Sequence, residues 1–186
     1  MVMPDVKALQ LPLSDWLVLC VVSEKPVHGW AVVALLGAEG SLGAVWQVPK
    51  PTVYRAIRRL DALGLVLSAG EEPSNQGPVS SVVQVTSAGR QAARRWLETP
   101  VAHPRDVRSE LLMKLALLDR AGTDPGPLLL AQQLQLAPIA AALGARLETA
   151  GGFERALILC RHEAMTATMR FLAKMIAPAT AAPVSS

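Results

Sequence analysis

The fold of this chain is decided by the stretch from Lys50 to Leu65, which reads KPTVYRAIRRLDALGL. On a helical wheel, the apolar residues around Val53 and Ile57 group within about 60° of Val53, whereas the arginines fall on the far side. Pro51 occupies the first turn, where a missing N–H costs nothing, and Gly64 is placed to cap the carboxyl end. The stretch therefore predicts a helix that packs by one face and presents cations from the other.

The positive charge of the chain is concentrated in this helix. The whole protein has a formal net charge of +3 and an isoelectric point near 9.2, which is too weak to identify a polyanionic partner. Between Trp46 and Leu60 there is no acidic residue, and the cations there are Lys50, Arg55, Arg58 and Arg59. Such a local excess is typical either of a solvated helix face or of a nucleic-acid footprint.

The elements before this helix complete a helix-turn-helix pattern. A first apolar helix is expected to begin at Ser14, a good N-cap, and to end before Pro26. A second is expected to open at His28–Gly29 and to end near Gly37. Its predicted inward residues are Trp30, Val33, Ala34 and Leu35.

The elements after this helix predict a wing. The hydrophobic period changes from about 3.6 to about 2 residues, so that Leu65–Leu67 and Val82–Val85 form the two strands of a hairpin. Turn-forming residues fill Glu71–Pro78 between them. Thr86 then caps another helix, which ends at Thr99–Pro100.

Beyond Pro100 the pattern is purely helical, in three segments: Asp106–Asp119, Pro125–Ala150 and Phe153–Ala177. Pro138 is expected to kink or split the second segment, because proline removes a backbone hydrogen bond. We therefore expect a mainly α fold, with a winged helix-turn-helix DNA-binding domain over residues 1–98. A helical dimerisation or effector domain follows over 99–177, and a flexible tail over 178–186.

Composition predicts a folded, soluble, cytoplasmic protein. Residues of the AVILMFWYC set make up 51% of the chain and charged residues 18%, which is enough for a core. The longest apolar run, Leu17–Val22, is far shorter than the roughly 18 to 20 residues of a membrane span, and no secretory signal is visible. Cys20 and Cys160 lie in apolar helical patterns and are expected to be buried, reduced thiols.

The sequence predicts neither an enzyme nor a cofactor. It has no Gly-x-Ser-x-Gly nucleophile motif, no Cys-x-x-Cys pair and no phosphate-binding loop. His162 lacks the second histidine that a zinc-binding helix requires, so no metal site is expected. His28 is interpreted as forming a structural hydrogen bond at a helix start.

The chain resembles the PadR family of bacterial winged-helix transcriptional regulators. Pro26–Trp30 is similar to the family's Pro-x-His-Gly-aromatic motif, and Pro51–Leu60 to its recognition helix. Gly64–Val66, Thr86–Arg90 and Trp96–Leu97 continue the resemblance, which spans Leu13 to Leu97. Farther on, only the length and helical layout are similar. The resemblance implies a dimer that represses, or occasionally activates, nearby genes in response to a signal.

The wing departs from the family pattern. It is often rich in Arg and Lys in the family, but here Glu71–Pro78 has no cation and Val83 occupies the place of a tyrosine. Asn75 and Gln76 can still donate neutral hydrogen bonds, which lack the charge that dominates backbone affinity. We therefore expect DNA binding to depend mainly on the third helix.

The predicted DNA-binding residues follow from this assignment. Arg55 is assigned to a base edge or a phosphate, Thr52 and Tyr54 to phosphates through their hydroxyls, and Lys50 and Arg58 to flanking phosphates. The full predicted set is Lys50, Pro51, Thr52, Tyr54, Arg55, Arg58, Asn75 and Gln76.

The last helix has an apolar arc too wide for a solvated surface. It packs either within the chain or against the same helix of a second subunit, and we expect the homodimer. The predicted interface residues are Leu157, Ile158, Cys160, Ala164, Met165, Phe171, Leu172 and Met175. Trp16, Trp30 and Trp96 are either core anchors or the lining of a pocket for a small-molecule effector.

The function that these predictions favour is a dimeric, sequence-specific regulator that binds double-stranded DNA, a repressor released by a small molecule or another signal. The alternative is a winged-helix protein-interaction or ligand-binding module without DNA binding. The wing without cations keeps that alternative open.

Overall fold

A computed structural model of the chain describes residues 10–69 and 82–177. Ten regular elements are described, together with a 3₁₀ turn over Pro104–Arg108. They are α1 (Leu13–Glu24), β1 (Val27–His28), α2 (Gly29–Leu36), α3 (Lys50–Ala62), β2 (Val66–Ala69), β3 (Val82–Val85), α4 (Ser87–Glu98), α5 (Glu110–Arg120), α6 (Gly126–Thr149) and α7 (Gly152–Ile176). The order from α1 to α4 is that of a winged helix-turn-helix, and the predicted mainly α fold class is confirmed.

The described residues form two compact units. The first holds the residues up to Glu98 together with Leu112–Thr123, so that most of α5 is grouped with the winged helix. The second holds Thr99–Leu111 and the chain from Asp124 onward. The chain thus enters the second unit, returns to the first and leaves it again.

The core of the first unit is built around α1. Every side chain from Trp16 to Val22 is buried, and α3, α4 and β3 pack around it. The helix begins at Leu13, with Pro12 at the N-cap position, and no side chain caps it. The predicted cap at Ser14 is therefore wrong. The Ser14 hydroxyl instead donates a hydrogen bond to the Asp15 carboxylate, at 3.1 Å between oxygens.

The predicted orientation of α2 is wrong for two of its four residues. The Trp30 side chain is 61% exposed and Ala34 is exposed, whereas Val33 and Leu35 are half-buried against the core. The buried residues of the helix are Gly29, Val32 and Leu36. The helix is only eight residues long and apolar on every side, so its sequence contains no polar face that would mark the solvent side.

The sheet has three strands rather than the predicted two. β3 lies in the centre, with β2 antiparallel on one side and β1 antiparallel on the other. In the register, Val66 is opposite Val85 and Val27 is opposite Val83. β1 was missed because two residues are too few to show a period. The predicted turn residues 71–78, with Asn75 and Gln76, lie outside the described residues.

Two predicted caps are confirmed, and both lie where α3, β2 and α4 meet. Gly64 follows the end of α3 with φ +68°, a conformation that glycine adopts without steric cost. The Thr86 hydroxyl oxygen accepts a hydrogen bond from the Gly89 N–H at 3.0 Å, as an N-cap does. The same hydroxyl lies 2.8 Å from the Gly64 carbonyl oxygen, to which it donates.

The second unit is built on the packing of α6 against α7. α7 inserts Ile158, Met165 and Leu172, spaced seven residues apart, and each is at most 2% exposed. Near the start of α6, the buried Gln132 amide accepts a bond from the Val101 N–H at 2.7 Å and donates one to the Val101 carbonyl at 3.0 Å. α6 runs through Pro138 without a break, so the helix is not split there.

By length and composition alone, α6 could span a membrane. An 18-residue window in it has a mean hydropathy of 1.4, and 22% of that window is buried in the structure. Glutamines interrupt α6, so it contains no unbroken apolar run of that length in the sequence. One helix of this kind is weak evidence, because core helices of soluble proteins meet the same criterion.

The two cysteines differ in environment. Cys20 is buried in the core around α1, and burial raises the pKa of its thiol far above the ordinary range, so it stays neutral. Cys160 is exposed on α7, so the prediction that both thiols are buried is wrong for this one.

The close approach of α4 to β2 makes Gly89 sensitive to substitution. A Cβ at this position would collide with the Leu65 carbonyl oxygen and come within 3.0 Å of a Val85 methyl group. We expect Gly89→Ala to lower the free energy of unfolding by about 3 kcal/mol or more, since a backbone carbonyl cannot move aside easily.

The matched control for this prediction is Gln91→Ala, which introduces alanine at an exposed position of the same helix. It should change the free energy by less than about 0.5 kcal/mol. Urea unfolding followed by circular dichroism measures both. Equal stabilities of the two variants would contradict the packing described here.

Candidate nucleic-acid interface

α3 separates an apolar face from a charged one, as its sequence predicts. Val53, Ala56, Ile57 and Leu60 are buried against the first unit, while the opposite side is solvent-exposed. Pro49 stands at the N-cap position with extended backbone, and Pro51 lies in the first turn. The exposed predicted DNA-binding residues on α3 are Lys50, Pro51, Arg55 and Arg58.

The segment between α2 and α3 connects the end of α2 firmly to the start of α3. Leu42 and Val48 are buried and anchor it to the core. The Val48 N–H donates to the Leu36 carbonyl at 2.9 Å, which ties the start of α3 to the end of α2. The orientation of α3 is therefore supported along its apolar face and at its amino end.

The four cations of α3 are not equivalent. Arg59 donates a hydrogen bond to the buried Asp15 carboxylate at 2.7 Å and forms an ion pair with it. Within the described part of the chain, Lys50, Arg55 and Arg58 show no ion pair. The charge available to a polyanion from this helix is thus three cations rather than four.

Arg55 is partly ordered by its own helix. One Nη donates to the Thr52 hydroxyl oxygen at 3.0 Å, and the Arg55 side chain is exposed. This bond directs the guanidinium toward the amino-terminal end of α3, where the side chains of a recognition helix reach base edges. Thr52 itself is half-buried.

Tyr54 has a packing role in addition to its predicted contact. Its half-buried ring lies against Gly29 at the start of α2, where a Cβ would come within 3.0 Å of the ring. A glycine at this position therefore allows α2 and α3 to approach closely. The Tyr54 ring is held in place by this contact, whatever its hydroxyl binds.

The structure brings together two of the three predicted effector tryptophans. Trp16 and Trp96 are buried and stacked, with centroids 5.6 Å apart and planes 8° from parallel. The Lys114 ammonium lies 4.5 Å from the centroid of the Trp96 ring, a cation–π contact. Trp30 is separate from this pair and stacks on His28 at 6.1 Å.

A cleft of about 270 Å³ opens in the same unit and contains none of these tryptophans. It is lined by Val22, Lys25, Pro26, Gln84, Val85 and Arg90. The two stacked tryptophans are buried and pack against each other, as structural residues of a core do. An effector site at Trp16, Trp30 and Trp96 stays a prediction.

The predicted interface residues of α7 separate into two groups. The buried group is Ile158, Met165 and Leu172, which pack inside the second unit of the same chain. Leu157, Cys160, Ala164 and Met175 are exposed, and Phe171 is half-buried.

Sequence reasoning missed several exposed apolar residues of the same unit. Phe153 is 82% exposed and Leu134 is 75% exposed, and the others are Leu130 and Leu159. The signal that could have found those on α6 is the apolar residues that flank its glutamines. Asp15 was also missed, although an acid at the start of an apolar helix that becomes fully buried is a recognisable signal.

No group of three or more His, Cys, Asp or Glu side chains that could hold a metal ion occurs in residues 10–69 and 82–177. The described His162 and Glu163 form a pair at 3.7 Å between nitrogen and oxygen, without a third ligand. Nothing in these ranges therefore points to a metal site.

Comparisons with known proteins identify a family to which the winged helix is similar. Residues 18–95 match the model of the transcriptional regulator PadR-like family. No curated protein matches the chain. Among solved structures, Bacillus subtilis PadR in complex with operator DNA is 16% identical, with 89% of this chain and 98% of that chain covered and a TM-score of 0.46. The smu.1604c protein of Streptococcus mutans UA159 is 16% identical, with 88% and 98% covered and a TM-score of 0.44.

The family match begins within α1 and ends within α4, so it includes α3 and both strands of the hairpin. It includes the motifs Pro26–Trp30, Pro51–Leu60, Gly64–Val66 and Thr86–Arg90 that carry the resemblance in the sequence, and it ends just before Trp96–Leu97. The match over residues 18–95 supports the similarity of this chain to the PadR-like family of transcriptional regulators.

Proposed function

We propose that this protein is a dimeric, sequence-specific DNA-binding repressor of the cytoplasm that a small molecule or another signal releases from its operator. The family to which it is similar is one of transcriptional regulators. The observation that carries the proposal is α3, whose apolar face is buried and whose opposite face exposes Lys50, Arg55 and Arg58. A helix of this layout fits the major groove, with its amino-terminal residues nearest the bases.

The exposed side chains of α3 suggest a division of roles. Arg55, one turn into the helix, reads a base or binds a phosphate, and Lys50 and Arg58 bind flanking phosphates. Pro51 and Thr52 lie at the amino end, where backbone approaches DNA most closely. Asn75 and Gln76 of the wing are proposed to add neutral contacts of small net value.

The dimer is supported by apolar side chains that the second unit leaves uncovered. Leu157, Cys160, Ala164 and Met175 lie on exposed positions of α7, and Phe171 is half-buried. Large exposed apolar side chains grouped on one element are typical of an interaction surface. A two-fold dimer would place two α3 helices in successive major grooves, about 34 Å apart.

Repression and release follow from the same geometry. A dimer bound at a promoter blocks access by steric exclusion. A ligand that binds better to an arrangement with a different α3 spacing shifts the population toward it and weakens DNA binding. We propose Trp16, Trp30 and Trp96 as the residues that respond to such a ligand, of which Trp30 is the exposed one.

Arg55 provides the test of the recognition helix. Arg55→Ala should weaken binding by about 1 to 3 kcal/mol per half-site, because a bidentate bond to guanine or a charged bond to phosphate is lost. The measurement is fluorescence anisotropy with DNA from the protein's own promoter region and with random duplex. Arg94→Ala is the matched control, since it removes the same charge from an exposed position of α4.

The two DNA probes separate the possible roles of Arg55. Weakening by the same factor on both identifies a phosphate contact, and weakening on promoter DNA alone identifies base readout. Unchanged affinity at low salt for both probes, with folding intact, would contradict the assignment of α3. It would then favour a protein-interaction or ligand-binding module without DNA binding.

The dimer is tested at two exposed positions of α7. Leu157→Glu combined with Met175→Glu should convert the dimer to monomer, because two buried charges without partners oppose association. Sedimentation velocity measures the change. Leu67→Glu is the control, because Leu67 is 57% exposed on β2. A dimer that survives the α7 substitutions would place the interface elsewhere.

A further inference from the structure

Asp15 is a buried carboxylate that engages one of the cations of the recognition helix. We propose that Asp15 is a positioning residue that withholds Arg59 from DNA and so sets the number of phosphate contacts that α3 makes. The inference rests on the proposed DNA binding. Under this proposal, three cations of α3 contact DNA, while the fourth stays paired with Asp15.

The carboxylate is held firmly in place. Its side chain is 3% exposed, and its Oδ2 accepts the bond from Arg59 at 2.7 Å. Its other oxygen accepts a bond from the Ser14 hydroxyl at 3.1 Å. Asp15 also lies in the first turn of α1, where the helix dipole favours a negative charge. Two hydrogen bonds and the first turn of α1 therefore hold the Asp15 carboxylate at this position.

The same burial keeps Arg59 in place. If Arg59 turned away to bind a phosphate, Asp15 would be left as a buried charge without its cation, which is strongly destabilising. A phosphate contact at the surface would stabilise the protein by much less than this cost, because solvent and salt screen the contact. The exchange is unfavourable, so Arg59 is expected to stay paired when DNA is bound.

Arg59 is nevertheless close enough to matter. It lies in the last turn of α3, four residues after Arg55, and its side chain is 47% exposed. Residues four apart lie on the same side of a helix, so a released Arg59 would extend the exposed row that begins with Arg55. It would add a phosphate contact that carries no sequence information.

The pair therefore bears on specificity. Each phosphate neutralised by a cation steepens the fall of log affinity with log salt by about 0.9 and strengthens binding to any sequence. Withholding one cation lowers this sequence-independent share without reducing base readout by Arg55. The ion pair joins α3 to α1 through one contact of 2.7 Å between nitrogen and oxygen.

The experiment measures salt dependence. Asp15→Asn and Asp15→Leu both remove the carboxylate, and leucine also removes any acceptor for Arg59. For each α3 bound to DNA, the slope of log affinity against log salt should steepen by about 0.9, so the loss between 50 and 200 mM salt grows about 3.5-fold. The ratio of promoter to random-duplex affinity should fall. Circular dichroism confirms folding of each variant before titration.

Two further variants isolate the ion pair. Glu24→Gln makes the same change in net charge and breaks the Glu24–Arg120 pair, 2.8 Å between nitrogen and oxygen, which involves no residue of α3. Its slope should equal that of the unaltered protein. Asp15→Asn combined with Arg59→Gln removes both members of the α3 pair and should restore the original slope.

The outcomes separate this inference from the proposed function. If the unaltered protein binds neither DNA probe at any salt concentration, the proposed function fails and the inference fails with it. If it binds DNA with a linear salt dependence and the Asp15 variants keep the same slope, the inference alone is wrong. A steeper slope in Glu24→Gln of equal size would also overturn it, since the effect would then be one of net charge.

Discussion

Burial of α1 on every side is the constraint on which the first unit depends. Leu17, Val18, Leu19 and Val22 are completely inaccessible to solvent, and each such side chain contributes roughly 1.5 to 3 kcal/mol relative to an exposed one. A helix without a polar face must be surrounded, and α3, α4 and β3 surround it. Polar side chains of α3, α4 and β3 are therefore expected on the sides that face away from α1.

The charged surface of α3 is a consequence of this arrangement. Val53, Ile57 and Leu60 are buried in the core, so the cations on the opposite side of α3 face outward. Asp15 is the exception within α1. A buried acid is tolerated there because Arg59 neutralises it, so one pair contributes to both the core and the charge of the candidate interface.

The second unit differs from the first in how its apolar helices are covered. Its α6 and α7 are each apolar over more than one face, and a pair of helices buries only one seam of each. On α7, the buried residues are Ile158, Met165 and Leu172, whereas Leu157 and Met175 are exposed. A second copy of the chain is the partner that we propose for the remainder. The buried Gln132 amide is hydrogen-bonded through both its oxygen and its nitrogen to the Val101 backbone.

The sequence by itself determined the elements that carry strong local signals. The amphipathic period of α3, the positive φ of Gly64 and the cap at Thr86 depend on nearby residues alone, and each is where the sequence predicts it. Tertiary structure decided the features for which the local sequence pattern allows more than one outcome. Only packing chose the exposed side of α2 and placed Trp30 outside, since every face of that helix is apolar. Only strand pairing revealed β1, because two residues have no period, and only the three-dimensional contact of Asp15 with Arg59, 44 residues apart, removed one cation from the predicted surface. Long-range contacts of this kind have no local signature, because the free energy that makes them arises when distant segments exclude water together.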